Sequence, residues 1–292
     1  MDPVILERLP AGVLAELERR DIAPSDVARA LDVGPEEALL LTGSYATGEF
    51  NPTSDLDLLV LTGGRAHGRP EGATNHPSTF GDSFDVQVRD LVVNLEYVEA
   101  RRVHDLCALV GSVGGSAQPD LPNLQPLEIR LIQRLAIGVP LAGADLVEHL
   151  RPALGVDVVR AAAAALNFVM ALSLLEDTLV LEPPAQQLMC RGAAESLLLS
   201  GINAFGPITY DIKHLCSRAA RLAEVPGAPR VLVERERVLF ADREPIGAGR
   251  SFLLDLAVDL HRVFGSGDCP DRVAPMLEPF RAQWAWTDRG FG

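Results

Sequence analysis

Between positions 41 and 60 the chain reads Leu41-Thr-Gly43-Ser44-Tyr-Ala-Thr-Gly48-Glu-Phe-Asn-Pro-Thr-Ser54-Asp55-Leu-Asp57-Leu-Leu-Val60. An apolar run ends in Gly43-Ser44, where glycine lets the backbone turn sharply and present its N–H groups. Asp55 and Asp57 open the next apolar run, and at strand spacing two such residues point to one face. Carboxylates held side by side repel unless a cation lies between them, and hard oxygen ligands suit Mg²⁺. A Gly-Ser turn beside a carboxylate pair is equipment for a nucleoside triphosphate: N–H groups and a hydroxyl on the outer phosphates, metal on the α-phosphate. Ser54-x-x-Asp57 would also suit a helix N-terminus, but residues 58–61 continue as a strand. No Gly-Lys-Ser/Thr follows the glycine, which excludes a P-loop.

Apolar runs at 38–42 and 56–61 read as central strands. The stretch 63–82, rich in Gly, Pro, His and Thr, reads as a loop. In 83–98 the alternation changes phase: Phe84, Val86 and Val88, then Leu91, Val93, Leu95 and Tyr97, with Arg89-Asp90 between them. Two strands joined by a tight turn require this. Two short amphipathic helices fall in 4–31 and another in 99–110. The segment 111–126 is heavy in Gly, Ser and Pro and reads as a linker. Beyond it helical patterns recur near 127–138, 157–181, 185–200, 209–224, 229–241, 250–264 and 271–285, with no strand among them. The expected fold is therefore α+β: a small mixed sheet over 1–113, a linker at 114–126 and an all-α domain over 127–292.

With 26 basic and 40 acidic side chains the net charge is −14 and the pI about 4.8. That balance argues against a nucleic-acid partner, which needs a dense basic face, yet leaves room for a small basic pocket. The four cysteines, Cys107, Cys190, Cys216 and Cys269, form no C-x-x-C pair. Together with an N-terminus lacking a basic, apolar leader, they point to a reduced, cytoplasmic protein. The apolar stretch 161–175 is short for a membrane span and is expected to be a buried helix. The six histidines show no metal-binding spacing. Leu277, Phe280, Trp284 and Trp286 are expected to dock on a core.

The 41–60 segment resembles the signature of the DNA polymerase β-like nucleotidyltransferase superfamily: apolar–Gly–Ser, about ten residues, then Asp-x-Asp in an apolar strand. The likeness covers roughly 38–98. It implies nucleotide transfer from a triphosphate, ATP being expected, with Mg²⁺ and release of pyrophosphate. By matching positions, Gly43 and Ser44 would hold the outer phosphates, and Asp55 and Asp57 the metal. The superfamily adds a third carboxylate on a later strand as base or metal ligand. Asp85, in Phe84-Asp85-Val86, and Glu96, in Leu95-Glu96-Tyr97, both fit.

Members with a helical second domain often use a lysine or arginine there against the triphosphate. Lys213, the sole lysine of the chain, fills that description, with Arg160 and Arg191 as weaker rivals. The expected acceptor is a small-molecule hydroxyl. The alternative is an antitoxin-like or regulatory protein that binds, or nucleotidylates, a partner protein.

Overall fold

Four apolar runs of the N-terminal part come together in one sheet, and the segments between them carry the polar groups. In the computed structural model the described residues are 9–65, 67–78, 80–114, 124–209, 212–265 and 273–277. The elements, in chain order, are α1 (Ala11–Arg19), α2 (Pro24–Ala28), β1 (Ala38–Leu41), α3 (Gly43–Thr47), β2 (Leu56–Thr62), β3 (Thr74–Pro77), β4 (Asp82–Val88), β5 (Leu91–Glu99), α4 (Ala100–Gly114), α5 (Pro126–Ile137), β6 (Val139–Ala142) and α6 (Ala144–Leu150). These are followed by α7 (Val156–Asp177), α8 (Pro183–Phe205), α9 (Leu215–Ala223), α10 (Arg230–Val233), α11 (Arg235–Leu239), α12 (Ile246–Gly265) and α13 (Val273–Leu277). The expected α+β class holds.

Strand order is β3-β4-β5-β2-β1-β6. β2 runs parallel to β5 and antiparallel to β1, so the sheet is mixed. Both apolar runs are interior strands, and all four residues of β1 are buried. One sheet face carries Leu39, Leu41, Leu56, Leu58, Val60, Phe84, Val86, Val88, Leu91, Val93, Leu95 and Tyr97. These form one core with Val13 and Leu17 of α1 and Val27 of α2. The β4–β5 hairpin turns at Arg89-Asp90, with Val88 paired to Leu91 and Arg89 at φ 55°.

Several expectations need correction. The 63–82 segment contains the edge strand β3, which pairs with β4 from Thr74↔Asp85 to Pro77↔Asp82. Its Asn, His and Pro are poor strand formers that an edge tolerates. The helix expected at 99–110 continues to Gly114, into the segment read as linker; positions 115–123 lie outside the described residues.

A strand does exist beyond the linker. β6 pairs antiparallel with β1, and only four residues long, with Pro140 inside, it gives little alternation to read. The chain groups into one unit of Met1–Gly111 with Gln125–Gly155 and another of Ser112–Leu124 with Val156–Gly292. Residues 127–155 thus belong with the sheet rather than with the helical part.

The second unit is built on α7 and α8. α7 is 22 residues long and, by length and composition, apolar enough to cross a membrane. It exceeds the run expected at 161–175, and its apolar residues are spent on packing. Ala161 to Ala165, Phe168, Ala171, Leu172 and Leu175 are buried, and Ser200 Oγ of α8 donates to the Ala164 carbonyl at 2.8 Å. The segment 229–241 divides into the short helices α10 and α11. Leu277 is buried as expected, whereas Phe280, Trp284 and Trp286 lie outside the described residues.

Glu16 ties the first helix to the sheet's loops. It accepts from Arg19 (2.7 Å) and Arg20 (2.8 Å), while Arg20 Nη2 donates to the Pro52 carbonyl at 2.6 Å. The hydrogen bond from Arg19 is the main influence that lowers the Glu16 pKa to about 2, with Arg20 adding to it. A depressed carboxylate pKa stabilises the fold above the unfolded value, near 4.5, and that stability is lost as pH falls toward the folded value. Glu16→Gln should therefore lower the melting temperature at pH 7. The gap to the wild type should narrow between pH 4.5 and about 2, as thermal melts across that range will register.

Candidate functional site

β1 leaves the sheet at Thr42, and the next residue, Gly43, adopts φ 65°. That region favours glycine, and a second constraint acts at the same place: a Cβ on Gly43 would overlap Oδ2 of Asp57. The Asp57 main chain is pinned from the same side. Its carbonyl accepts the Thr42 N–H at 2.8 Å and the Thr42 hydroxyl at 3.3 Å. The Gly-Ser turn and the second acid are therefore one packed unit, assembled by the antiparallel pairing of Leu41 with Leu58.

Ser44 follows in the one-turn α3, which closes at Gly48 with φ 72°. Asp55 lies just before β2 and is exposed, whereas Asp57 is on β2 with 24% of its side chain exposed. On the strand next to β2, Asn94 pairs with Asp57 and Glu96 with Leu59. Asn94 pairs in turn with Asp85, and Glu96 with Ser83, on β4. Because every second residue shares a face, Asp57, Asn94, Glu96, Asp85 and Ser83 lie on one face, opposite the apolar core.

Both candidates for the third carboxylate are thus on the Asp57 face. Glu96 is on the adjoining strand and Asp85 one strand further. Asp85 is held by His76 Nε2 at 2.6 Å and by the Asn94 amide at 2.8 Å. Glu96 accepts from the Ser78 hydroxyl at 2.9 Å and from Arg134 Nη1.

Arg134 on α5 is the residue that sequence reasoning missed. Its guanidinium bonds Thr42 Oγ1 at 3.2 Å, pairs with Glu96, and lies 3.8 Å from Asp57 Oδ1. It therefore joins β1, β2 and β5 over the polar face. Only 9% of its side chain is exposed, and Nη2 has no hydrogen-bond partner among the described residues. The signal was available: Arg134 falls three positions after Leu131 and seven after Leu127, on the apolar stripe of its helix, where an unpaired charge would be costly.

Glu96, Arg134, Asn94, Ser83 and Ser78 also line a pocket of about 180 Å³ together with Phe80, Leu127, Arg130 and Leu131. Asp55 and Asp57 supply the hard oxygen donors that Mg²⁺ needs, and that ion ordinarily takes one or two carboxylates beside substrate oxygens and water. The donor set fits. Glu96, expected as a further metal ligand, has its two oxygens engaged by Ser78 and Arg134 instead. Among the described residues no group of three or more His, Cys, Asp or Glu is arranged to hold a metal.

In the second unit Lys213 lies in the exposed turn that leads into α9. Arg160 donates to the carbonyls of Asn203 (3.3 Å) and Ala204 (3.2 Å), and Arg191 to Glu195 at 3.2 Å. These two arginines serve helix ends and helix faces.

The nucleotidyltransferase domain family matches residues 28–106, from α2 through the five strands β1–β5 into α4. No curated protein matches the chain. A solved nucleotidyltransferase-like protein from Exiguobacterium sibiricum is similar at 16% identity and a TM-score of 0.43, over 92% of this chain and 80% of that one.

Gly43 and Gly48 provide an internal control, since both have positive φ and only Gly43 has a wall of atoms where a Cβ would go. Gly48→Ala should cost about 1–2 kcal/mol, the strain of a left-handed residue. Gly43→Ala should cost about 1–3 kcal/mol more, for the overlap with Asp57. Equal urea midpoints for the two variants would contradict the packing described.

Proposed function

We propose that this chain, which carries a nucleotidyltransferase domain over residues 28–106, moves a nucleoside monophosphate from ATP to a hydroxyl of a small molecule and releases pyrophosphate. The observation that carries the reading is the contact of Gly43 with Asp57, which sets the Gly-Ser turn against a carboxylate in a buried strand. The net charge of −14 favours a small acceptor over a nucleic acid.

In the reaction the acceptor oxygen bonds to the α-phosphorus, and the bond from that phosphorus to the bridging oxygen breaks. Its electron pair leaves with pyrophosphate, and the hydroxyl proton passes to a carboxylate. Gly43 and Ser44 would hold the outer phosphates. Asp55 and Asp57 would hold Mg²⁺, which supplies charge neutralisation when bound. Glu96 is the proposed proton acceptor. It lies on the strand beside β2 and on the Asp57 face. To take the proton it must give up the hydrogen bond from Ser78 or from Arg134. Arg134, between Asp57 and Glu96, keeps the two acids in place before substrate arrives. Lys213 is proposed to neutralise the outer phosphates.

Two measurements test these roles. Asp55→Asn combined with Asp57→Asn should stay folded by circular dichroism and reduce Mg²⁺-dependent pyrophosphate release by at least about a hundredfold. Release at the wild-type rate would sink the metal assignment. Lys213→Ala should raise the nucleotide KM by roughly ten- to a hundredfold, the loss of one charge-assisted contact, and leave the acceptor KM within about twofold. Lys213→Arg should recover part of the loss, because a planar guanidinium replaces a compact ammonium poorly. An unchanged nucleotide KM in Lys213→Ala would remove that residue from the site.

A further inference from the structure

Attack and departure at phosphorus lie roughly in line, so acceptor and pyrophosphate occupy opposite sides of the α-phosphate. The sheet order places Gly43-Ser44, which follows β1, on one flank of β2 and places β5 and β4 on the other. The pocket lined by Ser83 of β4, Asn94 and Glu96 of β5 and Arg130 and Arg134 of α5 is on the β5 flank. If the outer phosphates sit at Gly43-Ser44, this pocket is where the acceptor enters.

Its charges are unusual for a chain of net charge −14. Glu96, the one carboxylate among the described residues that line the pocket, is paired with Arg134. Arg130 is exposed and has no ion pair among the described residues. The Ser78 and Ser83 hydroxyls and the Asn94 amide add neutral polar groups. A polycationic amino sugar would meet two guanidinium groups and one neutralised acid there. An anion would meet, in Arg130, a positive charge with no ion pair among the described residues.

We infer that the pocket is the acceptor site and that it takes a small hydroxyl compound bearing an anionic group, a carboxylate or a phosphomonoester, held by Arg130. The inference rests on the nucleotidyl-transfer reading for the word acceptor, and on the pocket alone for the anion. A volume of about 180 Å³ suits a molecule of a few carbon atoms. A longer acceptor has room in the adjoining pocket of about 560 Å³, which shares Phe80, Leu127 and Leu131 with the first and continues over Leu106 and Leu109.

The test uses the full chain and four probes: glycerate, glycerol 3-phosphate, glycerol and glucosamine. Calorimetric titration without nucleotide should detect the two anions and neither of the others. Arg130→Gln, at an exposed position that leaves the fold intact, should weaken the anions by about tenfold or more, while Ser44→Ala should leave them unchanged. Tighter binding of glycerol 3-phosphate than of glycerate identifies a phosphomonoester, and the reverse identifies a carboxylate. Equal binding of all four probes, no effect of Arg130→Gln, or weakening by Ser44→Ala would overturn the anion site.

Pyrophosphate release with ATP and Mg²⁺ is then followed with each probe. Release with glucosamine and not with the anions would overturn the inference and leave nucleotidyl transfer standing. Anion binding at Arg130 without release from any probe would overturn the acceptor role and support the anion site.

Discussion

The close approach of the Gly43 backbone to the Asp57 carboxylate is the constraint on which the N-terminal unit depends. It exists because β1 and β2 pair antiparallel in a register that sets Leu41 opposite Leu58. The Thr42 N–H then bonds the Asp57 carbonyl. With that register the chain leaving β1 must pass over Asp57 with a positive φ, and no residue with a Cβ fits. A slip of one residue would turn Asp57 to the apolar face. The wholly buried face of Leu39, Leu41, Leu56, Leu58 and Val60 makes that slip costly, so hydrophobic burial on one side of the sheet fixes the polar geometry on the other.

That polar face has its own electrostatic problem. Asp57 and Glu96 lie on neighbouring strands, and the Glu96 side chain is only 14% exposed. Arg134 answers it from α5 by reaching Thr42, Asp57 and Glu96 together. Removing one member of a buried ion pair typically costs about 3–5 kcal/mol, so the helix that carries Arg134 belongs to the sheet as firmly as a strand does. This explains why 125–155 groups with the sheet although the sequence there reads as more of the helical part. A guanidinium set between two acids offsets part of their charge, and in the proposed reaction it would lessen the repulsion met by the phosphates.

What was legible in the sequence was what periodicity and special residues encode. The continuous apolar runs gave two interior strands, and the phase change at Arg89-Asp90 gave the hairpin. Gly43 and the two spaced aspartates were readable as a candidate site, and the structure sets Gly43 against Asp57. What was not legible depends on contacts between distant positions. β3 and β6 are four residues each, and their pairing with longer strands, rather than their own composition, makes them strands. Glu96 and Asp85 could not be separated by local pattern, because both sit at alternate positions of the same face. The pairing of β5 with β2 sets Glu96 one strand from Asp57 and Asp85 two. Arg134 was visible only as a charge on an apolar stripe, 38 residues from Glu96 in sequence.

The most direct test of nucleotidyl transfer follows the phosphorus itself. Purified protein is incubated with Mg²⁺ and an anionic hydroxyl acceptor, and with ATP labelled at either the α- or the γ-phosphate. The products are then separated into small-molecule ester and pyrophosphate. The account predicts α-label in the ester and γ-label in pyrophosphate. Transfer of the γ-label to the acceptor would mean that the outer phosphate is the reacting centre, and would contradict it.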